Sequence, residues 1–201
     1  MIRVALLDDH PAVIVGLQRL LAPATDIEVL AAAANEAVLA RELRGRRPDV
    51  LIVDYDPRRR DALALCRRVK GRPDPIRVLI YSAYAGPALT VAARAAQADG
   101  LVDKAESAAS LTDAIRRVAA GETVMPKVSR AEFEGALARL EQPDLPVFAM
   151  LLDGAPVSMI AEGLRTDERE AARRAQRVVA RLRPRLTPVR ARSGHAGSRS
   201  G

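Results

Sequence analysis

Five positions in this 201-residue chain carry side chains suited to handling a phosphoryl group: Asp8, Asp9, Asp54, Ser82 and Lys104. Each closes an apolar run or stands just past one. Val50-Leu51-Ile52-Val53 lies between Asp49 and Asp54, the pattern of a parallel strand buried on both faces. Open α/β sheets bind ligands outside the carboxyl ends of such strands, which puts Asp54 at a reactive edge. Three carboxylates crowded there would raise one another's pKa, and a hard divalent cation removes that cost. Magnesium (Mg2+) suits the set, because it prefers oxygen ligands and is often held by few carboxylates plus phosphate. The chemistry is then phosphoryl transfer by positioning and charge neutralisation, with Asp54 as nucleophile. Lys104 would bind one phosphoryl oxygen as a point charge and Ser82 would donate to another. Taken singly, Asp8 is a plausible helix cap and Lys104 an ordinary solvated lysine. Their joint order, each at a strand end, is what points to chemistry.

The elements that must position these residues are legible as an alternation. Apolar runs at 2–7, 27–32, 48–54, 76–81 and 100–102 read as strands. Between and after them, 11–21, 35–45, 61–70, 86–98 and 107–120 read as helices. Pro11 can open the first helix because its missing N–H is not needed there. Val13, Leu17, Leu20 and Leu21 form one stripe of that helix, and Leu63, Leu65, Cys66 and Val69 face inward on the third. Ser107 caps the fifth helix and Gly121 ends it. Five strand–helix alternations imply a doubly wound five-stranded parallel sheet with right-handed crossovers. The strand order does not follow from the sequence. After a linker and a linking helix at 130–140, three short helical runs follow at 144–153, 156–162 and 167–182. With a turn at 163–166 they fit a helix-turn-helix. The chain thus divides into an α/β unit (1–122), a linker (123–140), a small all-α unit (141–183) and a disordered basic tail (184–201).

Composition narrows the partners. Apolar residues make up 49% of the chain, enough for a core, and the single cysteine, Cys66, excludes an internal disulfide. Cys66 is expected to be a packing residue. No run approaches the ~20 apolar residues of a membrane span, and the N-terminal run is too short for a signal peptide. A cytoplasmic protein with no membrane partner is the expectation. The formal charge of +7 is uneven: residues 1–124 hold 18 basic and 16 acidic groups, whereas residues 164–201 hold 11 and 3. A basic terminal segment points to a polyanion, most commonly nucleic acid.

Residues 1–124 resemble the receiver domain of bacterial two-component response regulators, a flavodoxin-like fold. The matching stretches are Val4-Ala5-Leu6-Leu7-Asp8-Asp9-His10, Pro48-Asp49-Val50-Leu51-Ile52-Val53-Asp54, Val78-Leu79-Ile80-Tyr81-Ser82-Ala83 and Gly100-Leu101-Val102-Asp103-Lys104. The resemblance implies Asp54 as phosphoacceptor from a sensor histidine kinase. It also implies Asp8 and Asp9 as metal ligands, the main-chain carbonyl of Asp56 as another, and Ser82 and Lys104 as sensors of the phosphoryl group. Leu101 stands where the family usually has an aromatic, and Arg58 and Ala62 replace the usual proline and glycine of the loop after Asp54.

Residues 140–182 resemble the four-helix DNA-binding domain of the NarL/FixJ (LuxR-type) regulators at Leu151-Leu152, Gly154, Ile160-Ala161, Leu164, Val178 and Leu182. In the last helix Ala171, Ala175, Val178 and Leu182 recur at helical spacing as the buried stripe. Arg169, Ala172, Arg173 and Gln176 then share an outward face, where Arg suits guanine and Gln suits adenine. Arg165, Arg174, Arg177 and Arg181 are placed to meet phosphates. The competing possibility pairs these arginines with Asp167, Glu168 and Glu170. Pro146, Arg165 and Glu170 depart from the pattern, which usually has an acidic residue, a glycine and a threonine there. The family-level expectation is a homodimer on double-stranded DNA.

Three functions compete. The first is a phosphorylation-responsive transcription regulator, not an enzyme. The second keeps the DNA-binding half and makes its control independent of phosphate, as Leu101 suggests. The third takes Val53-Asp54-Tyr55-Asp56 as the nucleophile motif of a haloacid-dehalogenase-type phosphatase, against which Asp8-Asp9 stands on the wrong side of the motif.

Overall fold

The computed structural model describes residues 1–57 and 61–184; the basic run 58–60 and residues 185–201, which hold nearly all of the expected tail, lie outside them. Five strands alternate with five helices: β1 (Ile2–Leu7), α1 (Pro11–Leu21), β2 (Ile27–Ala33), α2 (Glu36–Leu43), β3 (Val50–Asp54), α3 (Ala62–Lys70), β4 (Arg77–Ser82), α4 (Pro87–Ala95), β5 (Gly100–Asp103) and α5 (Ala108–Ala119). All pairings are parallel, in the order β2-β1-β3-β4-β5. Chain order reverses direction between β1 and β3, so their carboxyl ends open a crevice at the point where α/β sheets bind ligands.

Period-two alternation divides the core between the two faces of the sheet. Val4, Leu6, Ile52 and Leu79 face Leu17 and Leu21 of α1 and Leu111, Ile115 and Val118 of α5. Ala5, Leu7, Leu51, Val53 and Ile80 face Leu39, Leu63, Cys66, Leu89 and Ala92 on α2, α3 and α4. Cys66 is fully buried, and burial pushes its thiol up to about 12. On α1 the expected stripe is narrower than the spacing suggests: Leu20 is exposed at 41%. Leu17 and Leu21 close that side of α1, with half-buried Val13 packed beside them.

Helix starts follow their caps. Asn35, Asp61 and Ser107 each accept a hydrogen bond from the backbone N–H three residues on, at 2.9, 3.0 and 3.1 Å. Gly121, at φ +95°, lets the chain turn back after α5. Gly100 is required by proximity rather than by torsion: a Cβ there would lie 2.3 Å from Leu79 Cδ1. Past Gly121 the linker is not loose. Val124 bridges Gly100, and its backbone bonds Asp99 and Leu101, so the linker covers the free edge of β5.

A helical unit follows: α6 (Arg130–Leu137), α7 (Leu145–Leu152), α8 (Val157–Gly163) and α9 (Glu168–Leu182). Helix α6 opens with a capping box between Ser129 and Glu132 and ends three residues before the expected boundary. A 3-10 turn at Gln142–Asp144 precedes α7 and lets Pro146 fall in its first turn, where a proline N–H is not missed. On α9, Ala171, Ala175, Val178 and Leu182 are buried, as the spacing predicts.

The two units share one apolar core across α4, which packs against α6, α7 and α9. Helix α4 therefore reads Leu89-Thr90-Val91-Ala92-Ala93 with every side chain buried, the signature of a helix covered on all sides. Polar contacts flank the seam. Gln97 Nε2 donates to the Ala155 carbonyl at 3.1 Å, and Arg183, at the end of α9, pairs with Asp61, the cap of α3.

Candidate functional site

The crevice is lined by Leu7, Asp8, Asp9, Ala34, Val53, Asp54 and Asp56. Asp8 and Asp9 leave the sheet directly after β1, and Asp54 is the last residue of β3, so the β1–β3 pairing sets them side by side. Lys104, just past β5, reaches back across β4 and ties the cluster. Its Nζ lies 2.8 Å from Asp54 Oδ1 and 3.1 Å from Asp8 Oδ2. It also stands 5.4 Å above the Tyr81 ring, a cation–π distance.

Burial and charge act against one another in this cluster. Burial raises the Asp54 pKa, Lys104 opposes that rise and the Asp8 charge adds to it. Burial pulls Lys104 downward, but its hydrogen bonds to Asp54 and Asp8 win and its pKa ends above the ordinary value. One cation among several carboxylates leaves negative charge over, a cost that a divalent ion would remove.

His10 joins this cluster, although the expected site residues did not include it. Its Nδ1 lies 3.1 Å from carboxylate oxygens of both Asp8 and Asp9. Ligand atoms of Asp8, Asp9, His10 and Asp54 all fall within 4.8 Å of one another. The signal was the Asp-Asp-His-Pro turn itself, since an imidazole immediately after an acidic pair at a strand end shares their edge.

Ser82 is placed differently from Lys104. It is fully buried, its Oγ donates to the Tyr55 carbonyl at 2.7 Å, and it accepts from the Tyr84 N–H at 3.0 Å. The hydroxyl thus grips the residue after Asp54 instead of lining the acid crevice. Asp56 does line it. Leu101 is buried among the residues that face α3 and α4.

On α9, Arg169, Arg173, Gln176 and Arg177 are exposed, and Ala172 is half-buried. Arg173, Gln176 and Arg177 stay open to solvent while lining a cleft whose other wall is Asp61, Ala64 and Arg67 of the α3 segment. Three of the four positions expected at phosphates, Arg174, Arg177 and Arg181, already face carboxylates. Arg174 pairs with Glu170 at 2.9 Å, Arg177 approaches Asp144 at 3.6 Å, and Arg181 pairs with Glu141 and with buried Asp144. Asp167 is spent on capping α9, with its carboxylate accepting from the Glu170 N–H at 2.8 Å.

Arg165 occupies the turn between α8 and α9 at φ +52°, a left-handed conformation that glycine adopts without strain. Arg165→Gly is expected to raise stability by up to ~1 kcal/mol. Urea unfolding checks it, and a loss of stability would show that the arginine side chain outweighs the torsion.

Residues 4–116 match the response regulator receiver domain family. The chain is 30% identical to the transcriptional activator protein ExaE of Pseudomonas putida, over 80% of each protein. It is 26% identical to the DNA-binding transcriptional activator DevR/DosR of Mycobacterium tuberculosis, over 90% of this chain and 88% of that one. Its fold is similar to that of the two-component response regulator RcsB in a complex with DNA, with a TM-score of 0.58 at 21% identity, covering 90% of this chain and 91% of that one. Among the described residues no helix is long and apolar enough to cross a membrane. With an acid crevice at the β1–β3 switch point, a lysine reaching into it and a helical unit behind it, the chain belongs to the response regulators, and within them to the NarL/FixJ type.

Proposed function

We propose that this response regulator takes a phosphoryl group on Asp54 from a sensor histidine kinase and controls transcription through its helical unit, bound to double-stranded DNA as a homodimer. The observation that carries the reading is the contact of one ammonium, Lys104, with both Asp54 and Asp8 at the carboxyl edge of the sheet. An Asp54 oxygen attacks the phosphorus of a phosphohistidine. The P–N bond breaks and its electron pair stays on the imidazole, which takes up a proton. Lys104 then has a phosphoryl oxygen to bind in place of the carboxylate it holds now.

The donor set fits Mg2+: hard carboxylate oxygens of Asp8, Asp9 and Asp54, with Asp56 lining the same crevice. When bound, the ion would supply neutralisation of the charge gathered on the phosphoryl oxygens. The working units are a receiver at 1–122, a linker at 123–140 and a DNA-binding unit at 141–183. Labelling by acetyl phosphate is expected in the presence of Mg2+ and to fall to background when EDTA removes it. Labelling that is indifferent to EDTA would refute the acid cluster as a metal site.

In the DNA-binding half, Arg169, Arg173 and Gln176 are the candidate base readers, and Arg165, Arg174 and Arg177 the candidate phosphate contacts. Glu170 leaves both roles accessible, because it holds Arg173 and Arg174 only by surface pairs, worth ~0–1 kcal/mol. Arg173→Ala is expected to lower affinity for a selected DNA site by ~1–3 kcal/mol and to relax its sequence preference. A uniform loss on all sequences, measured by competition binding, would make it a phosphate contact.

A second reading, in which control does not depend on phosphate, is favoured by Leu101. A buried leucine lacks the aromatic ring that the family usually has at this position. Equal DNA affinity with and without phosphodonor would select that reading.

A further inference from the structure

Arg67 is the one buried arginine among the described residues, with 8% of its surface exposed, and no hydrogen bond or ion pair there involves its guanidinium. Burial pulls its pKa down, and the only other influence on it is the neighbouring Cys66 thiol. Most of Arg67 is withdrawn from water while its nitrogens keep some solvent contact, so its charge faces the cleft with no protein partner and an anion there would offset it. Its surroundings are built for one. Arg67 stands at the wall shared by two cavities between α3 and α9, of about 360 and 190 Å³. Across from it on α9 are Arg173, Gln176 and Arg177, and Gln176 lines both cavities. The one carboxylate on the wall, Asp61, is already neutralised by Arg183. Arg173 is held only by Glu170, at 3.2 Å and largely exposed, so it can turn into the cavity at little cost.

We propose that this cleft binds a small phosphate-bearing anion between Arg67 of α3 and the Arg173–Gln176–Arg177 face of α9. Guanidinium groups offer planar, forked donors that match phosphate oxygens two at a time, and the site supplies three of them with one amide. The larger cavity admits a pyrophosphate group. Because the anion would bridge the receiver to α9, it would hold the helix against α3 and occupy side chains proposed above for DNA. The anion and DNA would then exclude one another. This consequence rests on the DNA-binding reading, whereas the binding itself does not.

The full chain is titrated calorimetrically with sodium pyrophosphate and, separately, adenosine diphosphate, at constant ionic strength against chloride. Saturable binding of either probe at one site per chain is expected, weakened at least tenfold in Arg67→Met. That variant should keep the wild-type melting temperature, since an apolar side chain of similar reach replaces the mostly buried stem and an unpaired charge. Arg67→Gln replaces it in the test if the methionine variant does not fold. No binding of either probe beyond the chloride control, or undiminished binding by the folded variant, overturns the proposal. For DNA, the bound probe should lower affinity for a selected site at least fivefold in the wild type and leave the Arg67 variant unaffected. Binding that depends on Arg67 in a chain with no affinity for any DNA would sink the DNA reading and leave the anion site standing. DNA binding unchanged by a saturating probe would overturn the exclusion.

Discussion

Asp54→Asn is expected to abolish the response of DNA affinity to a phosphodonor. The amide offers no carboxylate oxygen to attack phosphorus, and the neighbouring Asp8 and Asp9 are engaged with His10, Asp8 also with Lys104. Folding should survive, because Asp54 contributes little beyond its contact with Lys104, and Lys104 keeps Asp8. The change also removes one of several crowded carboxylates whose burial is unfavourable. The test is a DNA-binding curve with and without acetyl phosphate: two curves for the wild type and one for the variant. A variant that still responds as the wild type does would place the acceptor elsewhere.

Asp99→Ala costs ~3–5 kcal/mol of stability, the range for breaking a buried ion pair by removing one partner. Asp99 is buried at the start of β5 and ties three segments together. Its carboxylate pairs with Lys70 at the end of α3, with Arg77, and with the backbone N–H of Val78 on β4. Its main-chain carbonyl accepts from Val124 in the linker. Removal strands Lys70, whose side chain is only 10% exposed, without its carboxylate and leaves a strand N–H without an acceptor. Asp99→Asn should cost less, since the amide oxygen can still accept from Val78. Urea denaturation measures both, and an alanine variant within ~1 kcal/mol of wild type would mean that water takes over the contacts.

Asp99 also shows where the sequence stops being informative. The acid site was legible because each of its members ends a strand, and strand ends can be found from apolar runs alone. Val50–Val53 between two aspartates needed no partner to identify it. Asp99 has no such signature, for its partners come from α3, β4 and the linker, and only the fold brings them together. The strand order β2-β1-β3-β4-β5 was unreadable for the same reason, as was the burial of Arg67.

Helix starts were read to within a residue wherever a cap chemistry marked them, as at Asn35, Asp61 and Ser107. Ends were read less well, as at α4, expected to reach residue 98 and finishing at Ala95 with Gln97 in a left-handed turn. On α1, periodicity put Leu20 in the stripe, although Val13, Leu17 and Leu21 are what pack on the sheet. The amphipathic pattern of α9 gave its inward face correctly. It could not say that the opposite face would lie across a cleft from α3, because that depends on how one folded unit settles on another.

The most direct measurement of the central claim is to locate the phosphoryl group. The chain is incubated with acetyl phosphate and Mg2+, the acyl phosphate is trapped by borohydride reduction, and the modified peptide is sequenced by mass spectrometry. The account predicts modification at Asp54, absent without the metal. Modification at any other residue, or none while the protein remains folded, would contradict it.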